Sequence, residues 1–168
     1  MILALDIAFA NLGWVVFDKG EPVAWGVIST EPTKKKNVMV SDDYAGRCMD
    51  YSSQLITVIQ RYKPKGIVGE LPHGSQSASS AKLLGGAVGI VCAVATMHGM
   101  PCEWISEGDS KKASLGVRAA KKEMTMDWAR SRYPDKQWPK TKGVFEHIAD
   151  ALMAYCGLKN GILIRTFG

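Results

Sequence analysis

The chain opens with an unbroken apolar run, residues 2–5, that closes on a single acid, Asp6. Apolar residues without polar alternation mark a strand covered on both faces, the central position of an α/β sheet. Residues 12–18 resume the apolar pattern, and Asn11 and Gly13 suit a tight connection, which predicts a hairpin of strands one and two. Lys19-Gly20-Glu21-Pro22 is a second turn. Residues 23–30 then read as a third strand with Val23, Trp25 and Val27 on one face. Residues 31–40 hold Pro32 and the triplet Lys34-Lys35-Lys36, and read as an exposed loop. Ser41-Asp42-Asp43 starts a helix, its acids favoured by the helix dipole. That helix runs to about Tyr62, with Cys48, Tyr51, Leu55, Val58, Ile59 and Tyr62 on one stripe.

Lys63-Pro64-Lys65-Gly66 ends the helix, and residues 67–70 form a short buried strand that again closes on an acid, Glu70. Residues 72–80 are a polar loop containing His73 and Gln76. A helix rich in Ala and Gly follows over 79–98, stopped by Gly99, and residues 101–105 give a fifth strand. A short helix over 110–115 breaks at Gly116, a longer one covers 119–132, and Trp138-Pro139-Lys140 reads as an exposed loop. The last helix begins near Gly143 or Val144, with Phe145, Ile148, Ala149, Leu152 and Cys156 on its apolar face. Glu146, His147 and Asp150 lie beside that face, because residues three and four apart are helix neighbours. Residues 162–167 are a tail, open to reading as an added strand, a dimer contact or ordered coil.

At 168 residues the chain is expected to be one domain, 1–168, with a full core. Its net charge of +5 leans towards a polyanionic partner. Segment 106–142 carries ten basic and five acidic residues, so it holds the whole excess. Phosphate binding and a solvated surface both fit that segment. Cys48, Cys92, Cys102 and Cys156 have no CxxC spacing and read as buried thiols in a reducing compartment. The N-terminus shows no secretory pattern, and the apolar stretch over 83–97 is too short to span a bilayer, so a cytoplasmic protein without a membrane partner is expected.

A carboxylate at the end of a buried strand is costly unless a cation faces it. Asp6 therefore asks for one, and the other acids become candidate co-ligands. Three antiparallel strands, a helix, an acid-ended strand and a last helix bearing an acid fit a ribonuclease H-like layout. Asp6 in LALDIAFANLGW, Glu70 in IVGELPHG, the LLGGAVGIV helix, SKKASLG followed by AAKKE, and HIADAL resemble the RuvC family of Holliday-junction resolvases, in the family's order and spacing.

The resemblance implies an α/β, ribonuclease H-like fold, a mixed five-stranded sheet flanked by helices. It implies a homodimeric endonuclease that binds four-way DNA and nicks two strands symmetrically. Asp6, Glu70, His147 and Asp150 would hold two Mg²⁺ ions, with Mn²⁺ as a substitute. Lys111 and Lys122 fall where the family places basic residues near the scissile phosphate, and Lys122 joins the catalytic set. His73, Lys111, Lys112, Arg118, Lys121 and Lys122 form the expected DNA-contact set. His73 stands where the family often has a stacking aromatic, which leaves junction selectivity open. Glu146 is a further candidate ligand, although an exposed helix charge is its simpler reading. The second long helix is the expected dimer surface.

Three rival readings bear on the same residues. DIAFANLG superficially resembles the opening of the actin and sugar-kinase superfamily, but the chain has about half the length that fold needs. A broader branched-DNA nuclease and a non-catalytic DNA-binding protein of the same fold are the others. Clustered acids without a cation would repel one another, which disfavours the last.

Overall fold

Alternation along the first strand decides where every other element lies. In the computed structural model, which describes residues 1–71, 74 and 77–168, β1 (Ile2–Asp6) is the middle of a five-stranded sheet. Leu3 and Leu5 point into one core and Ile2 and Ala4 into another, so both sheet faces are covered. The antiparallel partners are β2 (Asn11–Asp18) and, beyond it, β3 (Glu21–Ser29). On the other side β4 (Ile67–Leu71) and β5 (Cys102–Ser106) run parallel to β1, giving the order β3-β2-β1-β4-β5. The mixed sheet flanked by helices is the ribonuclease H-like arrangement expected from the sequence.

α1 (Val40–Tyr62) and α2 (Ala78–Met97) cover the first face. The predicted α1 stripe is real: Tyr51, Leu55 and Ile59 are buried, and Cys48, Val58 and Tyr62 pack at its edges. The second face carries α4 (Lys122–Arg132), α5 (Lys142–Gly157) and α6 (Ile162–Phe167). α3 (Glu107–Leu115) continues directly from β5 and packs against α5.

Several boundaries differ from expectation, each for a local reason. α3 starts at Glu107 rather than at residue 110, because the Ser106 hydroxyl accepts a hydrogen bond from the Asp109 amide at 3.1 Å and caps the helix. α4 starts at Lys122 rather than at residue 119. Lys121 is extended there, and the first turn is fastened to α5 by Lys122–Glu146 and by Lys142–Glu123 at 2.6 Å. The tail is neither strand nor coil but α6. Leu163 is buried beneath it, and its amide donates to the Glu103 carboxylate at 3.2 Å, a cap supplied from β5.

Trp138 is not an exposed loop aromatic. It packs on Trp25 with ring centres 4.4 Å apart and on Phe145 at 5.6 Å, and so closes the second core. The cysteines are free, but Cys92 is exposed and the other three are half-buried rather than enclosed. α2 has 20 residues, and by length and composition it is long enough to cross a bilayer, contrary to the reading of the shorter run. Its inner side, Ala87, Val91, Val94 and Ala95, packs into the first core.

Candidate active site

The same alternation that splits the two cores places the acids. Ile2 and Ala4 face α5, so Asp6 does too; Val68 faces α5, so Glu70 does too. β1 and β4 are parallel neighbours, and Asp6 pairs in register with Glu70, which sets the two carboxylates side by side at the carboxyl ends of their strands. α5 then passes across them. His147 and Asp150, three apart on this helix, both turn towards the strands.

The approach of α5 depends on Gly13, the β2 partner of Asp6. A Cβ at Gly13 would lie 2.2 Å from the His147 carbonyl oxygen, so only glycine leaves room for the helix backbone. With that room, His147 Nδ1 lies 2.8 Å from Asp6 Oδ2 and donates to it. This bond raises the His147 pKa against the opposing pull of burial. Ser110 is fully buried, and its hydroxyl donates to Glu70 Oε2 at 2.8 Å.

Together Asp6, Glu70, His147 and Asp150 line one cleft of about 310 Å³, with Ile7, Ala8, Leu84 and Thr125 as part of its walls. Two larger hollows lie elsewhere and hold none of these groups; the chemistry, not the size, marks this one. Burial pushes Glu70 up to about 8, aided by the charges of Asp6 and Asp150 and opposed by the Ser110 hydrogen bond. Burial likewise pushes Asp150 up to about 7, with Asp6 and Glu146 adding to it and Lys111 opposing. Both carboxyls are raised first by burial and then by neighbouring negative charge, an environment in which a bound cation would favour their ionised forms.

Two lysines answer part of that need. Lys111 pairs with Glu107 one turn earlier on α3, and Lys122 pairs with Glu146 across from α4 to α5. The pairs are mirror images in burial. The Lys111 side chain is 12% exposed against 52% for Glu107, whereas Glu146 is 14% exposed against 69% for Lys122. A cation thus faces inward from one wall and a carboxylate from the other. The simple reading of Glu146 as an exposed helix charge does not hold.

The donor set suits a hard divalent ion, since Mg²⁺ and Mn²⁺ take carboxylate oxygen and tolerate imidazole. The Thr125 hydroxyl is buried beside the cleft and has no hydrogen-bond partner, a polar atom whose bonding capacity the fold leaves unsatisfied. Among the described residues, no three His, Cys, Asp or Glu side chains already stand close enough together to hold one ion, so these side chains would have to shift to bind it.

The structure brings Asp6, Glu70, His147, Asp150, Lys111 and Lys122 together. Lys112 and Lys121 are exposed outside the cleft, and Arg118 is tied to Asp109 at 2.7 Å. His73 lies outside the described residues. Sequence reasoning missed Ser110, Glu107 and Thr125. The only sequence signal for Ser110 is its position one turn after a capping serine, on the helix that follows β5.

A mixed five-stranded sheet with acids at the ends of β1 and β4 and a third on α5 defines a class, the ribonuclease H-like fold. Within that fold the chain is similar to RuvC proteins in sequence and in structure. No protein-family model matches it. It is 26% identical to the crossover junction endodeoxyribonuclease RuvC of Treponema denticola over 157 residues, covering 91% of this chain and 82% of that protein. It is 35% identical to the protein of the same name from Nitratidesulfovibrio vulgaris over 81 residues, 48% of this chain. The chain spans about half the length of those Nitratidesulfovibrio relatives, 49%. In fold it superposes on Thermus thermophilus RuvC in complex with Holliday junction substrate with a TM-score of 0.73 at 21% identity, covering 93% of this chain and 90% of that one. The yeast mitochondrial Holliday junction resolvase is a more distant likeness, with a TM-score of 0.52 at 11% identity, covering 95% of this chain and 82% of that one.

Proposed function

We propose that this chain is a single-domain, metal-dependent endonuclease that resolves Holliday junctions by paired symmetric nicks, working as a homodimer. The observation that carries the reading is the in-register pair Asp6 and Glu70, faced by His147 and Asp150 in one cleft. The likeness to RuvC proteins in sequence and fold supports it. The ions would be two Mg²⁺, or Mn²⁺, held by Asp6, Glu70, His147 and Asp150. When bound, they supply an activated water and neutralise the leaving oxygen in an in-line displacement, which leaves 5′-phosphate and 3′-hydroxyl ends.

The chain's own side chains divide the remaining work. His147 fixes Asp6 through Nδ1, which leaves Nε2 as the nitrogen for an ion or a water. Ser110 fixes one oxygen of Glu70 and directs the other to the cleft. Lys111 faces inward and offsets charge that grows on the phosphate. Lys122, exposed at the rim, is placed to take a backbone phosphate, with Lys112, Lys121 and Arg118 extending a basic margin. The open outer side of α2 is the surface on which a second copy would seat. The free thiols fit work in a reducing, cytoplasmic compartment.

The test is incubation with a synthetic four-way junction and Mg²⁺. Paired nicks at symmetric positions on two like strands are expected. Equal cutting of forks, flaps and junctions would favour the broader branched-DNA nuclease, and binding without cutting would favour the non-catalytic reading.

A further inference from the structure

Glu146 has no place in the four-residue ligand set, yet its side chain lines the cleft beside His147 and Asp150 and is 14% exposed. Its only ion-pair partner among the described residues is Lys122, from a different helix and 69% exposed. An exposed lysine pays little to leave such a pair, because surface ion pairs are weak. The carboxylate it would leave behind is enclosed, close enough to Asp150 to disturb its proton affinity, and lines the same cleft as the partnerless Thr125 hydroxyl on the facing helix α4. An uncapped anion in that setting needs a new cation.

We propose that Glu146 is a reserve carboxylate of the cleft, capped by Lys122 in the ion-free protein and released to a divalent cation when a DNA phosphate draws the lysine away. This rests on the nuclease reading above and deepens it. Lys122 is then more than a phosphate contact: its departure couples arrival of the strand to completion of the ion site. The coupling is reciprocal, so a cation that engages Glu146 frees Lys122 for phosphate. Lys111 cannot serve in the same way, because in its pair the lysine is the enclosed member and the glutamate the exposed one.

The experiment is a Mn²⁺ titration by calorimetry without DNA, across a double-mutant cycle. Lys122→Gln removes the cap and should tighten Mn²⁺ binding about tenfold. The same change in a Glu146→Gln background should do almost nothing, because there is no carboxylate left to release. Lys122→Arg keeps the cap and should match the unaltered chain. Junction binding, followed in Ca²⁺ against EDTA, should gain less from the ion in Glu146→Gln than in the unaltered chain. Equal tightening in both backgrounds would reduce Lys122 to a diffuse charge and overturn the inference, as would no tightening in either. If the unaltered chain takes up no Mn²⁺ at all, the nuclease reading fails and the inference goes with it. Uptake that the variants leave unchanged overturns the inference alone.

Discussion

α2 and α5 are both apolar helices, and they are used in opposite ways. α5 is wedged between the sheet, α3 and α4, and buries Phe145, Ile148, Ala149 and the whole run from Ala151 to Tyr155. α2 buries only Ala87, Val91, Val94 and Ala95 and turns Gly85, Gly89, Cys92, Ala93 and Met97 outwards. Apolar composition therefore does not distinguish a helix that fixes a site from one that offers a surface; the number of sides already occupied does. The site needs the first kind. His147 and Asp150 stay in position because the rest of α5 cannot shift.

The contrast breaks most sharply at the polar end of α5. Asp150→Asn should lower nicking of a four-way junction by about a thousandfold or more while junction binding in a mobility-shift assay persists. Loss of both would make Asp150 a structural acid. Next in size is the buried run itself. Leu152 is fully buried against the sheet, so Leu152→Ala should cost about 2–5 kcal/mol in urea unfolding. Ala93→Ser on the outer side of α2 should stay within about 0.5 kcal/mol.

A pH series sharpens the comparison further. Glu70, at about 8, and Asp150, at about 7, bind protons more tightly folded than unfolded, so the folded state holds more protons between their unfolded and folded pKa values. Stability must then fall as pH rises through about 4 to 8. His147, raised by Asp6, acts in the same direction, since its contribution is complete below its unfolded value and is lost as pH rises through the folded one. In metal-free buffer the unfolding free energy should drop by several kcal/mol from about pH 5 to about pH 8.5. Added Mn²⁺ should restore more of it at the upper end. A flat profile would mean that the acids are not crowded.

Smallest are two single-atom or single-methyl changes. Ser110→Ala removes the hydroxyl held by Glu70 and should cost about 1 kcal/mol, with a further rise of the Glu70 pKa followed by NMR. Gly89→Ala on α2 meets no atom within 4 Å and should stabilise the chain by about 0.5–1 kcal/mol if that side is open. A loss instead of a gain, growing with protein concentration, would place a second copy against it.

Much of this was legible in the chain itself. Two apolar runs that each end on an acid gave β1 and β4, and the stripe from Phe145 to Cys156 gave α5 with its polar neighbours. The parts that were not legible depend on packing between elements distant in sequence. Ser110 reaches Glu70 only because α3 packs against β4, and Glu146 is enclosed only because α4 packs against α5. Trp138 looked like a loop residue beside Pro139 until Trp25 of β3 met it. α6 has too few residues for a helical period to stand out, and its cap comes from Glu103, a strand away. Periodicity reads one element at a time, whereas these contacts belong to pairs of them.

The bare backbone of Gly13 acts as a spacer of minimum thickness between strand and helix. Whatever ions or strand the cleft receives, the gap across which Asp6 and His147 meet is gauged by a residue that touches neither the chemistry nor the solvent. Even one methyl there would act as a shim, prising α5 off the sheet and parting two side chains that stand 141 positions apart along the polypeptide.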